Sequence, residues 1–281
     1  MISPGINGSA MVAGTVYGSP SAIFLMVPRT SGVPPAEPLR CRMGNLDVPA
    51  LPEFFLVEKM CTVTTVEKNQ ILDEILAARR SNRQFRTELP PEDMIREIIH
   101  AGLLAPFAAA AVGGSGTKYF RQFFVFKRGT TSLAAASPLV MDSVRTMAGS
   151  LKKEMEKDPA HKKRAETFAQ RLDMIITSGA VPGVGTAPYY IVVAERRGFP
   201  AVEKQSLAHC LQNMWLKATA LGLGFQIVSV TGEMSDNTKF CDILGIPTGD
   251  YELMGCAVGY AQTPLPPSVR PSPDEVTRWL A

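Results

Sequence analysis

The sequence predicts an α+β fold, one sheet covered by helices. Three observations carry this reading. Tyr189–Ala194 is a continuous apolar run, as in a strand covered on both faces, and Phe123–Lys127, Phe225–Val230 and Tyr251–Tyr260 read as further strands. Segments near 68–79, 90–103 and 203–221 repeat apolar residues at helical spacing. Finally, helices and strands mix without strict alternation, which argues against a doubly wound parallel sheet.

Composition bounds the function classes. With 281 residues, 46% hydrophobic and 20% charged, the chain is long enough for a large core in one or two domains. A formal net charge of +3, with the basic residues scattered, gives no case for a nucleic acid or an anionic membrane surface as partner. Cys41, Cys61, Cys210, Cys241 and Cys256 lie far apart without a CxxC pair, and the three histidines form no HExxH. That pattern argues against a metal site or a disulfide framework and fits a reducing cytoplasm. Ala22–Val27 is too short to span a bilayer and lacks a basic flank, so neither a membrane span nor a signal peptide is expected.

Residues 1–69 read as an irregular, mobile extension, and 70–281 as the folded domain. Gly, Pro and Ser punctuate the first fifty positions, no period persists, and Met60 offers an alternative start. A first helix is expected over about 68–79, with Ile71, Leu72, Ile75 and Leu76 as its apolar stripe. Pro90-Pro91-Glu92-Asp93 opens a second, with Ile95, Ile98 and Ile99 facing inward. One or two helices are expected over 137–178, with a charged, solvent-facing middle from Lys152 to Arg171. The helix 203–221 is apolar almost all round, so it reads as central or subunit-facing, and Gly222 closes it. Ser235 reads as the cap of a helix ending at Leu244-Gly245, and Ser272-Pro273-Asp274-Glu275 as the start of a short terminal helix.

The densest chemistry lies at Arg79-Arg80-Ser81-Asn82-Arg83-Gln84-Phe85, where the first helix gives way to polar chain. Guanidinium forks stay charged at any working pH and suit a phosphate or a carboxylate. The same residues also read as a solvated helix end, since cations favour a helix C-terminus.

In order along the chain, Arg79–Phe85, Leu104-Ala105-Pro106, Ala187-Pro188 before a Tyr-Ile-Val-Val strand, Gln212-Asn213-Met214, Leu221-Gly222-Leu223-Gly224, Leu244-Gly245-Ile246-Pro247, Gly259-Tyr260 and Arg270-Pro271 resemble the FMN-dependent nitroreductase family. The resemblance covers some three quarters of the chain. It implies a nitroreductase-like fold with a central, mostly antiparallel sheet and an intertwined homodimer. It also implies FMN as cofactor, NADH or NADPH as electron donor, and a small planar acceptor such as a nitroaromatic or quinone. Arg79, Ser81, Arg83 and Arg270 would then grip the phosphate and the pyrimidine edge, with Arg80 in the same segment but turned away. Pro106, Phe107 and Ala108 would approach the flavin from the other subunit. Ile227, Val228, Ser229 and Val230 would run past its reactive edge, and no side chain need act as catalytic acid or base. One departure stands out: the family's Asn and Gln-Pro-Trp set is replaced by Phe107–Gly114, with Arg121 or Gln122 as substitutes for the lost contacts. A reductive dehalogenase-like or flavin-modifying relative, and a non-catalytic flavin binder, remain open alternatives.

Overall fold

The computed structural model describes residues 64–109, 119–266 and 268–280, all within the unit Thr62–Ala281. The extension read over 1–69 and the Gly-rich loop at 113–116 lie outside these residues, apart from Thr64–Asn69. Helix α1 (Thr65–Ala78) begins a little before 68, because Thr64 and Glu67 form a reciprocal cap. The Thr64 hydroxyl accepts from the Glu67 N–H at 3.2 Å, and the Glu67 carboxylate accepts from the Thr64 N–H at 2.7 Å.

The chain continues through α2 (Glu92–Leu103), β1 (Arg121–Lys127), α3 (Thr131–Lys157), α4 (Pro159–Ser178), β2 (Tyr189–Arg196), α5 (Glu203–Ala220), β3 (Gly224–Val228), α6 (Thr238–Leu244), β4 (Tyr251–Gly259) and α7 (Pro273–Val276). The four strands form one antiparallel sheet in the order β1-β2-β4-β3. Alternation along β2 divides the core in two. Tyr189, Ile191 and Val193 pack with Ile98 of α2 and Leu207, Leu211 and Met214 of α5. Tyr190, Val192 and Ala194 pack with Val140 and Val144 of α3 and Phe240 of α6. Both faces are covered, which is why β2 is apolar at every buried position but its end.

That end is polar and paired. Arg121 of β1 faces Glu195 of β2 in register, and its Nε–H donates to the carboxylate at 2.9 Å. The rest of its fork reaches the Gly102 carbonyl at 3.0 Å and the Ser206 hydroxyl at 2.7 Å, so one buried guanidinium ties together β1, β2, α2 and α5.

Three sequence expectations change, and the choice between one and two helices over 137–178 falls to two. α3 starts at Thr131, not near 137, and runs through Pro138. The proline leaves a helical carbonyl without its N–H, and burial of Leu133, Ala136, Val140 and Met141 around it offsets that cost. α4 is separated from α3 by Asp158, whose side chain accepts from the Ala160 N–H at 2.8 Å. Asn237, not Ser235, caps α6 through the Phe240 N–H at 3.0 Å, while the Ser235 hydroxyl donates to the Gly232 carbonyl. α5 is not apolar all round: Lys204, Gln205, His209 and Gln212 are exposed, opposite a buried face from Leu207 to Ala218.

Candidate functional site

After α1 the chain does not coil into a turn but runs extended as a strap over residues 79–86. Ser81 bridges Phe225 at the start of β3, and the Asn82 N–H donates to the Phe225 carbonyl at 3.0 Å. Further on, Phe85 bridges Ala261 beyond β4, and the Arg86 N–H donates to the Tyr260 carbonyl at 2.9 Å. Two glycines make this approach possible. A Cβ at Gly224 would lie 3.0 Å from the Asn82 Cβ, and one at Gly259 would lie 2.5 Å from Pro188 Cδ and 3.2 Å from the Phe85 ring. Trp215 of α5 holds the strap from beneath. Its indole N–H donates to the Arg80 carbonyl at 3.3 Å, its ring lies 4.3 Å from the Arg79 guanidinium carbon, and it stacks on Phe225 with centroids 5.2 Å apart.

The strap forms one wall of a cleft of about 590 Å³. Arg79, Arg80, Ser81 and Arg83 line it from the strap, and Thr263, Ser268 and Arg270 from the segment before α7. Two stretches almost two hundred positions apart in sequence therefore meet at one place. No acidic residue is among its described lining, and none of these four arginines has a carboxylate partner among the described residues. The cleft is a cation cluster without internal counterions. Arg80 is among the residues that border the cleft, and its carbonyl accepts from Trp215.

Arg83 also lines a second, smaller pocket of about 240 Å³. Its floor is Gln226–Val230, and its walls include Val144 and Met147 of α3 and Phe168 and Arg171 of α4. The Gln226 amide donates to the Pro182 carbonyl at 3.1 Å, and its buried Oε1 has no hydrogen-bond partner among the described residues. The Arg83 guanidinium is pulled below its ordinary range, first by burial and then by the charge of Arg171.

Of the expected site residues, Arg79, Arg80, Ser81, Arg83 and Arg270 share the first cleft, and Ile227, Val228, Ser229 and Val230 the second. The last two are not in the strand: β3 stops at Val228, and Ser229–Met234 form a 3₁₀ turn that packs back on the sheet, where the Thr231 and Tyr190 hydroxyls lie 2.8 Å apart. Ile227 is 39% exposed and so is not a buried strand residue. Pro106, Phe107 and Ala108 line neither cavity; they are exposed after α2, with the Phe107 ring 4.4 Å from that of Phe120. Arg121 does not replace lost contacts at the site, because all three arms of its fork are used in the core, and Gln122 instead donates to the Tyr251 hydroxyl at 3.0 Å. Tyr189 and Tyr190 are buried in the core, and His209 is exposed on α5. Sequence reasoning missed Trp215 as an anchor, reading it only as one apolar residue of α5. Arg171, read as part of a solvated face, is exposed, and it also borders the smaller pocket.

The profile of the Nitroreductase family matches residues 76–260. Among solved structures, the chain resembles a nitroreductase with bound FMN from Bacteroides fragilis NCTC 9343, at 19% identity and a TM-score of 0.52, over 75% of this chain and 98% of that one. It resembles another from Desulfitobacterium hafniense DCB-2, also with bound FMN, at 23% identity and a TM-score of 0.53 over the same shares. Iodotyrosine deiodinase bound to FMN and 3-iodo-L-tyrosine matches at 17% identity and a TM-score of 0.52, over 75% of this chain and 99% of that one. No curated protein matches in sequence. The sheet, the strap against β3 and the profile match over most of the folded unit lead to one conclusion: this chain belongs to the nitroreductase family.

Proposed function

We propose that the protein binds FMN across the two cavities and acts as a cytoplasmic, homodimeric oxidoreductase. It would take hydride from NADH or NADPH and reduce a nitroaromatic, quinone or similar planar acceptor. The observation that carries this reading is the convergence of Arg79, Ser81 and Arg83 with Arg270 on one uncompensated cationic cleft. FMN offers a phosphate dianion, a polar ribityl chain and a flat ring, and the residues present fit that sequence of groups. The first cleft supplies charge-assisted donors for the phosphate. Arg83, common to both cavities, stands where a polar ring edge would pass from one to the other. The second cavity supplies apolar walls for a ring. The FMN bound in the two nitroreductase structures supports the same choice.

When bound, FMN supplies the two-electron chemistry between donor and acceptor. The chain's own part is to hold the phosphate, orient the ring against Ile227–Val230 and leave one ring face open to reactants in turn, which gives ping-pong kinetics. The apolar stripe of α1 supports the homodimer: Val66 is 76% exposed and Ile71, Leu72 and Leu76 nearly half exposed, so a stripe of helical period has no partner within the described chain. The test is a visible spectrum of protein purified without added cofactor, followed by NADH or NADPH without oxygen or any other protein. A flavin band that bleaches supports the reading. A colourless protein that retains no added FMN contradicts it.

A second reading, a reductive dehalogenase-like flavin enzyme, is favoured by the reach of Phe168 and Arg171 from α4 into the ring pocket. Turnover of a nitroaromatic against a halotyrosine ranks the two.

A further inference from the structure

The turn that follows β3 is tied to the sheet at one point. Thr231 and Tyr190 are both fully buried, and their hydroxyls lie 2.8 Å apart. Tyr190 stands on β2, two strands away from β3, with β4 between them. The bond can cross because β4 carries Gly255 at that level, paired with Val192 of β2 on one side and Val228 of β3 on the other. A Cβ at Gly255 would overlap the Thr231 hydroxyl and lie 2.8 Å from Thr231 Cβ and 3.0 Å from the Tyr190 ring. Thr231 therefore sits in the gap that the missing side chain leaves. The Tyr190 ring is itself held, stacked on Phe126 of β1 with centroids 5.6 Å apart.

Apolar packing alone does not fix such a turn. Short 3₁₀ segments have poorer hydrogen-bond geometry than an α-helix, so their placement depends on tertiary contacts. Val230 and Met234 bury apolar surface, which has no direction, whereas a hydrogen bond weakens steeply once misaligned. Among the described residues, Thr231 is the one side chain of Ser229–Met234 that is hydrogen-bonded to the sheet. Burial pushes the Tyr190 phenol well above its usual range, so the pair stays neutral at any working pH. Just before Thr231, Ile227–Val230 form part of the floor of the smaller pocket, with Ile227 and Ser229 exposed and Val228 and Val230 buried. What fixes Thr231 thus fixes the backbone on which that floor is built.

We infer that Thr231 and Tyr190 are positioning residues. Through the gap at Gly255, their hydroxyl pair holds the backbone of Ile227–Val230 at the floor of the pocket and so tunes the redox behaviour of the ring bound there. The inference rests on the FMN reading and deepens it, since protein groups beside a flavin tune its electronics. Neither residue lines the pocket.

Two measurements on the full-length protein test it. Hydrogen exchange of the protein as purified reads the turn, and equilibration of the FMN-loaded protein against a reference dye reads the flavin's two-electron potential. Thr231→Val keeps the shape and removes the hydroxyl. Its amides at 230–234 are expected to exchange about ten-fold faster, and the flavin's reduction equilibrium to move by about ten-fold, or roughly 30 mV. Thr231→Ser, which keeps the hydroxyl, restores both. Thr231→Val with Tyr190→Phe removes both polar groups, so the urea midpoint recovers most of what the single substitution lost while the potential stays shifted. Tyr190→Phe alone reproduces the shift and serves if Thr231→Val does not fold. An unchanged potential in the flavin-loaded variants, or one that returns to the wild-type value in the double variant, overturns the inference, because packing then places the floor. So does unchanged exchange at 230–234. A wild type that takes up no FMN overturns the FMN reading and this inference together, whereas a flavin-loaded wild type with silent variants overturns this inference alone.

Discussion

Arg79 sits over the Trp215 ring and lines the larger cleft, and Arg270 lines the same cleft from the far end of the chain. Each should contribute a charge-assisted bond to the bound phosphate. Arg79→Ala and Arg270→Ala are each expected to weaken FMN binding by about 1.5–3 kcal/mol, one to two decades, read by flavin fluorescence titration. Arg121 makes the opposite use of the same side chain. Its guanidinium is fully buried and bonded to Glu195, Gly102 and Ser206. Glu195→Ala strands that charge, and a loss of about 3–5 kcal/mol in urea unfolding is expected, while an Arg121→Met, Glu195→Leu pair recovers most of it. The buried thiols add a pH dependence. Burial, more than the neighbouring charges, pushes Cys210 up to about 12, and Cys256 is raised well above its usual range. The native state therefore keeps both thiols neutral where the unfolded chain ionises, from about pH 8.5 upward. Stability is fully present below that point and falls as pH rises from it toward the folded value. Cys210→Ala should flatten the alkaline decline in urea midpoint.

The strap is the element on which the site depends, and its chemistry was legible before its shape. Three arginines and a serine in five residues announced an anion site, but the residues that position them were not readable as such. Gly224 and Gly259 stood out only as parts of a family resemblance; their physical reason is the close passage of Asn82, Pro188 and Phe85, contacts between segments far apart in sequence. Gly259→Ala is expected to cost about 1–3 kcal/mol of stability through overpacking and to loosen FMN retention by shifting the strap, measured together by thermal unfolding and flavin content. Trp215→Leu should act on flavin retention more than on stability, because it removes the ring under Arg79 and the bond to Arg80 but keeps the apolar fill. The end of β3 was misjudged for a similar reason. Val228-Ser229-Val230 reads as continuous strand, and only the packing of Val230, Thr231 and Met234 into the core bends it into a 3₁₀ turn. The region of α3 and α4 was expected as one or two helices, and Arg171 stays exposed on α4 while bordering the smaller pocket.

At the scale of the folded unit, the sheet order β1-β2-β4-β3 brings residues 79–86, 224–230, 263–266 and 268–270 together, and the two cavities adjoin there. Strand composition made the two-faced core legible and the family resemblance an antiparallel sheet; the order of the strands was not readable, because it is set by pairings between distant segments. The apolar stripe of α1 was also visible, although its use was not: it contributes no buried residue to the described chain. Leu72→Asp with Leu76→Asp should therefore shift the protein from dimer toward monomer in sedimentation velocity while leaving the helix content unchanged. The central claim, that two distant arginine-bearing segments grip one phosphate, is tested most directly by comparing the affinities of FMN and riboflavin, which differ by that phosphate alone. The account predicts that the wild type prefers FMN by at least about two decades and that Arg79→Ala with Arg270→Ala removes most of the preference without weakening riboflavin. Equal affinity for the two flavins in the wild type, or an FMN preference untouched by both substitutions, would contradict it.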